Sequence, residues 1–422
     1  MALLGSIADD LTGATDLCNT LVRGGMRTIQ VVGVPSGDFV IPPADAVVVS
    51  LKSRTIATDE AVQMSLASLA WLRTQGVRQI LFKYCSTFDS TDRGNIGPVA
   101  DALRQALGAR FTIACPAFPE NHRTVYLGHL FVGDALLSDS PMRRHPLNPM
   151  TDANLLRVLG RQTSAPVGLV PYDVVRDGPD AIRRAFNSLS EKGLACAIVD
   201  ALEDRHLRDI GTASSELALV TGGSGIALGL PENFRRAGLL AVRQAVDTLP
   251  VCGGSSAVLA GSCSQATRDQ VATFARKHPA FFLDPRAVAR DAAGTAAAAV
   301  EWARGRLGQG AVLIYSSEPP QQVQATQAML GREAAGAAVE QAFATIASGL
   351  REAGVRRLVI AGGETAGAVV QTLGVTALRI GPQIAPGVPW TAAIGSEPLA
   401  LALKSGNFGG SDFFAQALEM VA

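Results

Sequence analysis

The chain lacks an excess of either charge, a long apolar run and a recognisable leader. Lys+Arg and Asp+Glu both number 37, so the net charge is zero, and broad attraction to nucleic acid or a membrane surface is excluded. No apolar run is long enough to span a bilayer, and the start "MALLGSIADD" has no basic segment before an apolar one. We therefore expect a cytoplasmic protein without a signal peptide, which binds neither nucleic acid nor membrane.

Two kinds of motif are also missing. The six cysteines form no CxxC pair, which favours reduced thiols over disulfides or a zinc site. GxxxxGK[ST] does not occur, which excludes a P-loop enzyme.

The pattern that is present alternates short apolar runs with helical segments, which is typical of parallel α/β sheets. Apolar residues make up 48% of 422 residues, enough for two cores. Strands are predicted at "AVVVSL", "QILFKY", "RFTIACP", "CAIVDA" and "LALVTG", and again at "AVLAG", "AFFLD", "AVLIYS", "RRLVIAGG" and "ALRIG". The expected fold is α/β in two domains, residues 1–245 and 250–422, each a mainly parallel sheet flanked by helices, with "FRRAGLLAVRQAVDTL" as a connecting helix.

Two adjacent carboxylates, Asp9 and Asp10, end the first predicted strand. Ligands gather at the carboxyl ends of parallel strands, and two like charges this close require a metal, a cationic partner or a ligand. One acid could accept a proton from a substrate hydroxyl and the other hold hydroxyls or a metal, whereas either alone could simply cap the next helix.

Polar groups follow other strands of the first half. Arg54 could grip a carboxylate with its two-pronged guanidinium, although most arginines are simply solvated. The run "KYCSTFDST" supplies an ammonium, hydroxyls and a carboxylate that suit a small polyhydroxylated acid, although Ser, Thr and Asp also favour plain turns. Its candidate ligand-binding residues are Lys83, Ser86, Thr87 and Asp89.

Two proline-bracketed loops come next. Asn121, His122 and Arg123 are predicted to bind a ligand rather than act as nucleophiles, because no Ser or Cys elbow accompanies them. The loop that holds Arg144, His145 and Asn148 leads to a helix that we expect Thr151 to cap. The stretch "GGSGIALG" is close to a dinucleotide fingerprint without matching it; its glycines could still wrap an anion.

Three glycine-rich strand ends lie in the second half: "LAGSCSQAT", "IAGGETAGAV" and "LKSGNFGGSDFF". Glycine lets the backbone approach phosphate, and a helix N-terminus favours negative charge. One such end is often a tight turn, but three together predict a phosphate site.

Taken in order, eight motifs resemble the four-carbon acid sugar kinase family almost from end to end. They are "ADDLTGATD", "KYCSTFDST", "CPAFPENHRTVY", "HPLNPMTD", "GGSGIALGL", "AGSCSQATRDQV", "AGGETAG" and "LKSGNFG". The forms of "KYCSTFDST" and "HPLNPMTD" are most similar to the 3-oxo-tetronate 4-kinase branch.

The resemblance implies an N-terminal sugar-acid-binding domain, a C-terminal nucleotide-binding domain and an active site in the cleft between them. It implies ATP- and Mg²⁺-dependent phosphorylation of the terminal 4-hydroxyl, with Asp10 near that hydroxyl as base or orienter and Asp9 on substrate or metal. ATP would meet Ser262, Gly362, Gly363, Glu364, Thr365 and Gly406. The metal ligands are not identified, and a homodimer is left open.

Other functions compete with this one. The nearest is the same chemistry on D-threonate or D-erythronate. An NAD-dependent oxidoreductase using "GGSGIALG" and a non-catalytic sugar-acid sensor are more remote, because a sensor has no need of a second, phosphate-binding site.

Overall fold

The chain divides into two compact units, Met1–Val246 and Asp247–Ala422. The structure is a computed structural model that describes residues 1–145, 148–242, 246–319, 321–323, 331–395 and 397–421. Each unit holds a mainly parallel sheet with helices between its strands, so the predicted fold class is confirmed.

The main sheet of the first unit is parallel throughout. Its strands run in the spatial order β2-β3-β1-β4-β11-β5-β10-β9. Their bounds are Leu4–Ala8 (β1), Thr28–Val32 (β2), Ala46–Ser50 (β3), Gln79–Lys83 (β4), Thr112–Cys115 (β5), Val167–Val170 (β9), Cys196–Val199 (β10) and Leu219–Gly222 (β11). A small antiparallel sheet joins Arg123–Tyr126 (β6), His129–Val132 (β7) and Ala135–Leu136 (β8).

Helices connect these strands. They are Leu11–Arg23 (α1), Thr58–Thr74 (α2), Ile96–Ala106 (α3), Leu155–Gly160 (α4), Tyr172–Arg176 (α5), Pro179–Glu191 (α6), Asp204–Ala213 (α7) and Leu230–Arg236 (α8). Because helices cover both faces of such a sheet, its strands are apolar throughout rather than alternating. Val47, Val48 and Val49 of β3 accordingly show no exposed surface.

The second unit has a parallel sheet with an antiparallel edge. The order is β13-β14-β12-β15-β18-β17-β16, and the strands from β13 to β18 in that order are parallel. Its strands are Ser255–Ala260 (β12), Ala280–Phe282 (β13), Val312–Tyr315 (β14), Val355–Ala361 (β15), Ala377–Ala385 (β16), Val388–Ala393 (β17) and Ala400–Lys404 (β18). The helices are Gln265–Ala275 (α9), Pro285–Arg290 (α10), Ala292–Arg304 (α11), Arg332–Glu352 (α12), Gly363–Thr372 (α13) and Phe413–Glu419 (α14).

The strand register aligns the carboxyl ends within each sheet. In the first unit, Ala8 of β1 pairs with Ser50 of β3 and with Lys83 of β4, which in turn pairs with Gly222 of β11. The loops that leave these ends therefore start along one edge. In the second unit, Ala260 pairs with Tyr315 and Ala361, and Ala361 with Lys404, so another row of loops starts there.

The predicted connecting helix between the domains is wrong over its described part. Helix α8 ends at Arg236, and Gly238 follows it with a φ of +69°. The N–H of Leu239 bonds back to the carbonyl of Phe234 at 2.9 Å, which closes the helix end as a left-handed glycine usually does. Residues 243–245 of the predicted helix lie outside the described residues.

The predicted cap of α4 is also wrong. Asn154 rather than Thr151 caps this helix, and its side chain accepts a hydrogen bond from the N–H of Arg157 at 3.0 Å. Asparagine is among the strongest N-cap residues, so the helix begins three residues later than the sequence pattern indicated.

The glycines of "GGSGIALG" pack against neighbouring backbone. A Cβ at Gly223 would lie 2.7 Å from the carbonyl oxygen of Pro116, and a Cβ at Gly222 would collide with that of Cys115. Gly225 lies in the 3₁₀ turn Ser224–Leu228, and a Cβ there would be 2.6 Å from the carbonyl oxygen of Ala117. These glycines therefore permit close approach of two chain segments, which gives the glycine pattern a structural reason without an anion.

We predict that Gly222→Ala destabilises the first unit by about 1–3 kcal/mol or more. The added methyl group would clash with the carbonyl oxygen of Cys115, which cannot shift without disturbing strand β5. Gly160→Ala is the matched control, since a Cβ there meets nothing within 4 Å. Thermal unfolding should show a melting temperature lowered by several degrees for the first variant and unchanged or slightly raised for the second. An unchanged melting temperature for Gly222→Ala would contradict the packing role.

Candidate active site

Arg54 lies at the centre of the charged site of the first unit. Its Nε and Nη2 donate to the two carboxylate oxygens of Asp9 at 2.9 and 2.8 Å. Nη2 also donates to Asp10 at 2.6 Å, and Nη1 donates to Asp89 at 3.0 Å. Two adjacent carboxylates are stable here because one guanidinium binds both. That Arg54 grips a substrate carboxylate stays a prediction; in the structure its paired donors bind Asp9.

Asp10 caps helix α1 as well as pairing with Arg54. Its Oδ2 accepts from the N–H of Gly13 at 3.0 Å and from the hydroxyl of Thr12 at 2.9 Å. Burial by itself would raise the pKa of Asp10, but the nearby charges of Arg54 and Lys83 outweigh it and hold that pKa well below its usual range. The capping and functional interpretations of the sequence are thus compatible, because one oxygen caps the helix and the other faces Arg54.

The end of β4 and the loop after it bring a lysine and a third carboxylate to the same place. Lys83 is 2% exposed, and its Nζ donates to the carbonyl of Tyr84 at 2.8 Å. Phe88 and Asp89 adopt φ values of +62° and +47°, a left-handed conformation that is uncommon for residues with side chains. The buried ring of Phe88 anchors this turn, and such strained conformations cluster at functional sites.

The hydroxyls predicted on this loop lie beside the charged groups. Thr87 is buried and its Oγ1 is 3.0 Å from the Sγ of Cys85, while Ser86 is half-buried. Asn148 donates to the carbonyl of Asp89 at 3.0 Å. The Nδ1 of His145 is 3.5 Å from the Oδ1 of Asp89. Arg144 is exposed on the same loop as these two residues.

Asn121 and Arg123 present unused hydrogen-bond donors. The Nη1 of Arg123 donates to the carbonyl of Asn121. The Nδ2 of Asn121 and the Nε of Arg123 are buried, and neither has a partner within the described part of the chain. Between them, His122 is exposed with a φ of +56°. Buried donors without partners are rare in proteins and are consistent with a ligand that supplies the acceptors.

The sequence reasoning missed Asp16. It lies on the buried face of α1, 7% exposed, and its Oδ2 accepts from the hydroxyl of Ser224. Its Oδ1 is buried without a hydrogen-bond partner among the described residues. Burial raises its pKa to about 6 despite the nearby charge of Lys83 and the bond from Ser224. The signal was a carboxylate at an otherwise apolar helical position in "DLTGATDLCNTL".

In the second unit a cavity of about 340 Å³ opens at the carboxyl ends of β12, β14 and β15, which is within the range of small-molecule sites. The residues predicted to bind nucleotide form one wall of it. They are Ser262, Gly362, Gly363, Glu364 and Thr365. Gly362 has a φ of +129°, and the N-terminus of the ten-residue helix α13 begins directly after it. The N–H groups of the first turn of a helix are suited to phosphate oxygens.

Gly406 lies beside this wall. A Cβ there would be 2.5 Å from the hydroxyl oxygen of Ser262. Lys404 ends β18 with no exposed surface, and its Nζ donates to the hydroxyl of Thr267 at 3.1 Å and to the carbonyls of Ser405 and Gly406 at 3.0 and 2.9 Å. Burial lowers the pKa of Lys404 to about 7. The lysine therefore fixes the loop that carries Gly406.

Metal ligands are scarce across the described ranges. No group of three or more His, Cys, Asp or Glu side chains is placed there to hold an ion. The three carboxylates gathered in the first unit, Asp9, Asp10 and Asp89, all bind Arg54. A Mg²⁺ site built from protein side chains alone does not fit these residues.

Family models and curated relatives identify the family of the chain. Residues 4–230 match a sugar-binding N-terminal domain, and residues 257–414 match a nucleotide-binding C-terminal domain. The chain is 59% identical over 417 residues to a 3-oxo-tetronate kinase of Burkholderia multivorans, covering 99% of this chain and 97% of that protein. It is 60% identical over 422 residues to one of Cupriavidus necator, with the same coverage of each chain. The chain belongs to the four-carbon acid sugar kinases, in the 3-oxo-tetronate kinase branch.

Solved structures of the same fold extend over the whole chain. A crystal structure from Salmonella typhimurium LT2 has a TM-score of 0.89 at 43% identity and covers 100% of each chain. One from Haemophilus influenzae has a TM-score of 0.80 at 42% identity and covers 99% of this chain and 100% of that one.

The predictions of family and kinase activity are therefore confirmed, and the oxidoreductase alternative is not favoured. In the part of the chain that the structure describes, no helix is both long and apolar enough to span a membrane.

The raised pKa of Asp16 predicts a pH dependence of stability. Its carboxyl titrates near 3.8 when unfolded and at about 6 when folded, so the folded state binds the extra proton in that window. Its contribution to stability is complete below about pH 4 and is lost as the pH rises to about 6, by at most about 3 kcal/mol. Asp16→Asn should remove this loss and gain stability relative to the wild type between pH 4 and 7.

Urea unfolding at a series of pH values measures this gain. Asp173→Asn, at an exposed aspartate, is the control and should follow the wild-type profile. A stability difference between Asp16→Asn and wild type that is constant from pH 4 to 7 would contradict the assignment.

Proposed function

We propose that this protein transfers the γ-phosphoryl group of ATP to the 4-hydroxyl of a four-carbon sugar acid, with 3-oxo-tetronate as its preferred substrate. The observation that carries the proposal is the pairing of two unlike sites in one chain. The first unit gathers charged and hydrogen-bonding side chains at its strand ends, and the second has a glycine-walled cavity at a helix N-terminus. The names of the 3-oxo-tetronate kinases most similar to the chain support the choice of substrate.

In the first unit, we assign recognition of the acid to Asn121 and Arg123. Their unpartnered N–H groups are donors that a carboxylate or keto oxygen can accept. The substrate hydroxyls would meet the loop that carries Ser86, Thr87 and Asp89. Arg54 then has a positioning role, since four of its N–H contacts go to Asp9, Asp10 and Asp89.

Asp10 is assigned to the acceptor hydroxyl. Its depressed pKa keeps it ionised at neutral pH, so it accepts a hydrogen bond and orients the oxygen that attacks. A carboxylate this acidic is a weak base, which favours the orienting role. Phosphoryl transfer asks mainly for positioning and charge stabilisation, so an orienter is sufficient. Lys83 lies close enough to Asp10 to lower its pKa and adds positive charge at the same place.

In the second unit, we assign the phosphates to the backbone N–H groups of Gly363, Glu364 and Thr365, with Ser262 and Gly406 beside them. The N–H of Gly362 already donates to the carbonyl of Lys404 at 2.8 Å, so Gly362 contributes by its close approach and its φ. Mg²⁺ would be bound chiefly by the nucleotide phosphates, as is common for this ion, and would neutralise their charge. Each of these residues binds or orients; none is required to form a covalent intermediate.

A coupled ADP-release assay over a panel of four-carbon acids tests the proposal. We predict ATP turnover only when a sugar acid is present, with the highest kcat/KM for 3-oxo-tetronate and lower values for D-threonate and D-erythronate. Turnover indifferent to every acid would overturn kinase function on this substrate class, and a preference for D-threonate or D-erythronate would overturn the substrate assignment alone.

The variant Asp10→Asn tests whether Asp10 orients the acceptor hydroxyl without contributing to ATP binding. Asparagine keeps the helix cap but loses the charge that orients the hydroxyl, so we predict that kcat falls by about 10²-fold while the Kd for ATP is nearly unchanged. Asp291→Asn is a matched control, because Asp291 caps α11 by the same bond to a glycine N–H three residues on, at 2.8 Å. Isothermal titration gives the Kd and steady-state kinetics the kcat. A near-normal kcat for Asp10→Asn would reduce Asp10 to a structural cap.

A further inference from the structure

Ser316 and Glu318, just after β14, are buried residues whose polar side chains have no partner among the described residues. Ser316 is 3% exposed, and its Oγ is buried without a hydrogen bond to any described residue. Glu318 is 7% exposed, and no hydrogen bond or ion pair joins its carboxylate to another residue that the structure describes. Both line the cavity of the second unit.

An arrangement of this kind is costly unless a ligand completes it. A buried polar group without a partner loses its hydration without compensation. Burial raises the pKa of Glu318, against the nearby charge of Arg286, whose Nε is already 3.3 Å from Asp284. Ser317 between the two residues is satisfied, since its Oγ donates to the carbonyl of Ser262 at 2.6 Å and holds the backbone of this loop in place.

The cavity has two chemically different ends. The end at β15 consists of Gly362–Thr365 and the start of α13, which suits phosphate. The end at β14 has Ser316 and Glu318, with apolar groups from Val323, Ala335 and Val339 also in the lining. Strand β12 lies between β14 and β15, so the two ends are about 10 Å apart, two strand spacings.

We infer that the β14 end is the nucleoside end of the site, where Glu318 accepts hydrogen bonds from the ribose 2′- and 3′-hydroxyls and Ser316 contacts one of them. An ionised carboxylate is a pure acceptor, and its two oxygens can accept from two neighbouring hydroxyls at once. The apolar groups in the lining of the same cavity suit a base. This inference rests on the proposed nucleotide site and adds the direction in which the nucleotide lies.

Equilibrium binding tests it without turnover. Isothermal titration of the full-length protein with ADP, 2′-deoxy-ADP and 3′-deoxy-ADP should show the wild type binding ADP about tenfold or more tighter than at least one deoxy analogue. Glu318→Gln should weaken ADP about tenfold and the affected analogue much less, so that the discrimination disappears. Ser316→Ala should reduce the discrimination by a smaller factor. Glu301→Gln, at an exposed site on α11, is the control and should keep the wild-type values.

Other titration results would overturn either the ribose assignment or the proposed nucleotide site. A wild type that binds all three nucleotides equally overturns the ribose assignment, as does a Glu318→Gln protein that weakens all three by the same factor. Failure of the wild type to bind ADP at all overturns the proposed nucleotide site instead. The melting temperature of ligand-free Glu318→Gln should stay close to that of the wild type, because the carboxylate has no hydrogen bond or ion pair to another described residue. If that variant does not fold, the wild-type and Ser316→Ala titrations still decide.

Discussion

The hydrogen bonds of Arg54 to three carboxylates hold the charged site of the first unit together. Asp9 follows β1, Arg54 follows β3 and Asp89 follows β4, so one guanidinium connects three loops. Without it, the carboxylates would repel one another in a poorly hydrated place. The acidity of Asp10 is a result of the same contact, helped by Lys83. The chemical state of the proposed orienting residue therefore depends on a residue from another loop.

Both units use a buried lysine at the end of a central strand. Lys83 ends β4 and Lys404 ends β18, and each donates to the carbonyl of the residue that follows it. Their surroundings differ. Lys83 lies near Asp10 and Asp16. The hydrogen bonds that join Lys404 to other described residues go to neutral oxygens, and burial lowers the pKa of Lys404 to about 7. A buried lysine at a strand end therefore adds charge to the site in the first unit, where it is Lys83. In the second unit it is Lys404, which holds a loop in place.

Glycine has two distinct uses in the chain. At Gly222, Gly223 and Gly225 a side chain would strike the backbone of the neighbouring segment, so the need is for close packing. At Gly362 the backbone has a φ of +129° beside the proposed phosphate site. Glycine-rich motifs that look alike in the sequence therefore have different physical causes. The residues packed around each glycine show which cause applies.

The sequence by itself determined the class of fold, the family and the strand ends where polar residues collect, because apolar periodicity and ordered motifs are local properties. It missed Asp16, the early end of α8, the cap of α4 and the carboxylate partners of Arg54. Tertiary structure decided these points, because they depend on which side chains meet across the sheet. Arg54 is 44 residues from Asp10, and Ser224 is 208 residues from Asp16. No local pattern encodes such contacts; the parallel register, which sets the strand ends side by side, creates them.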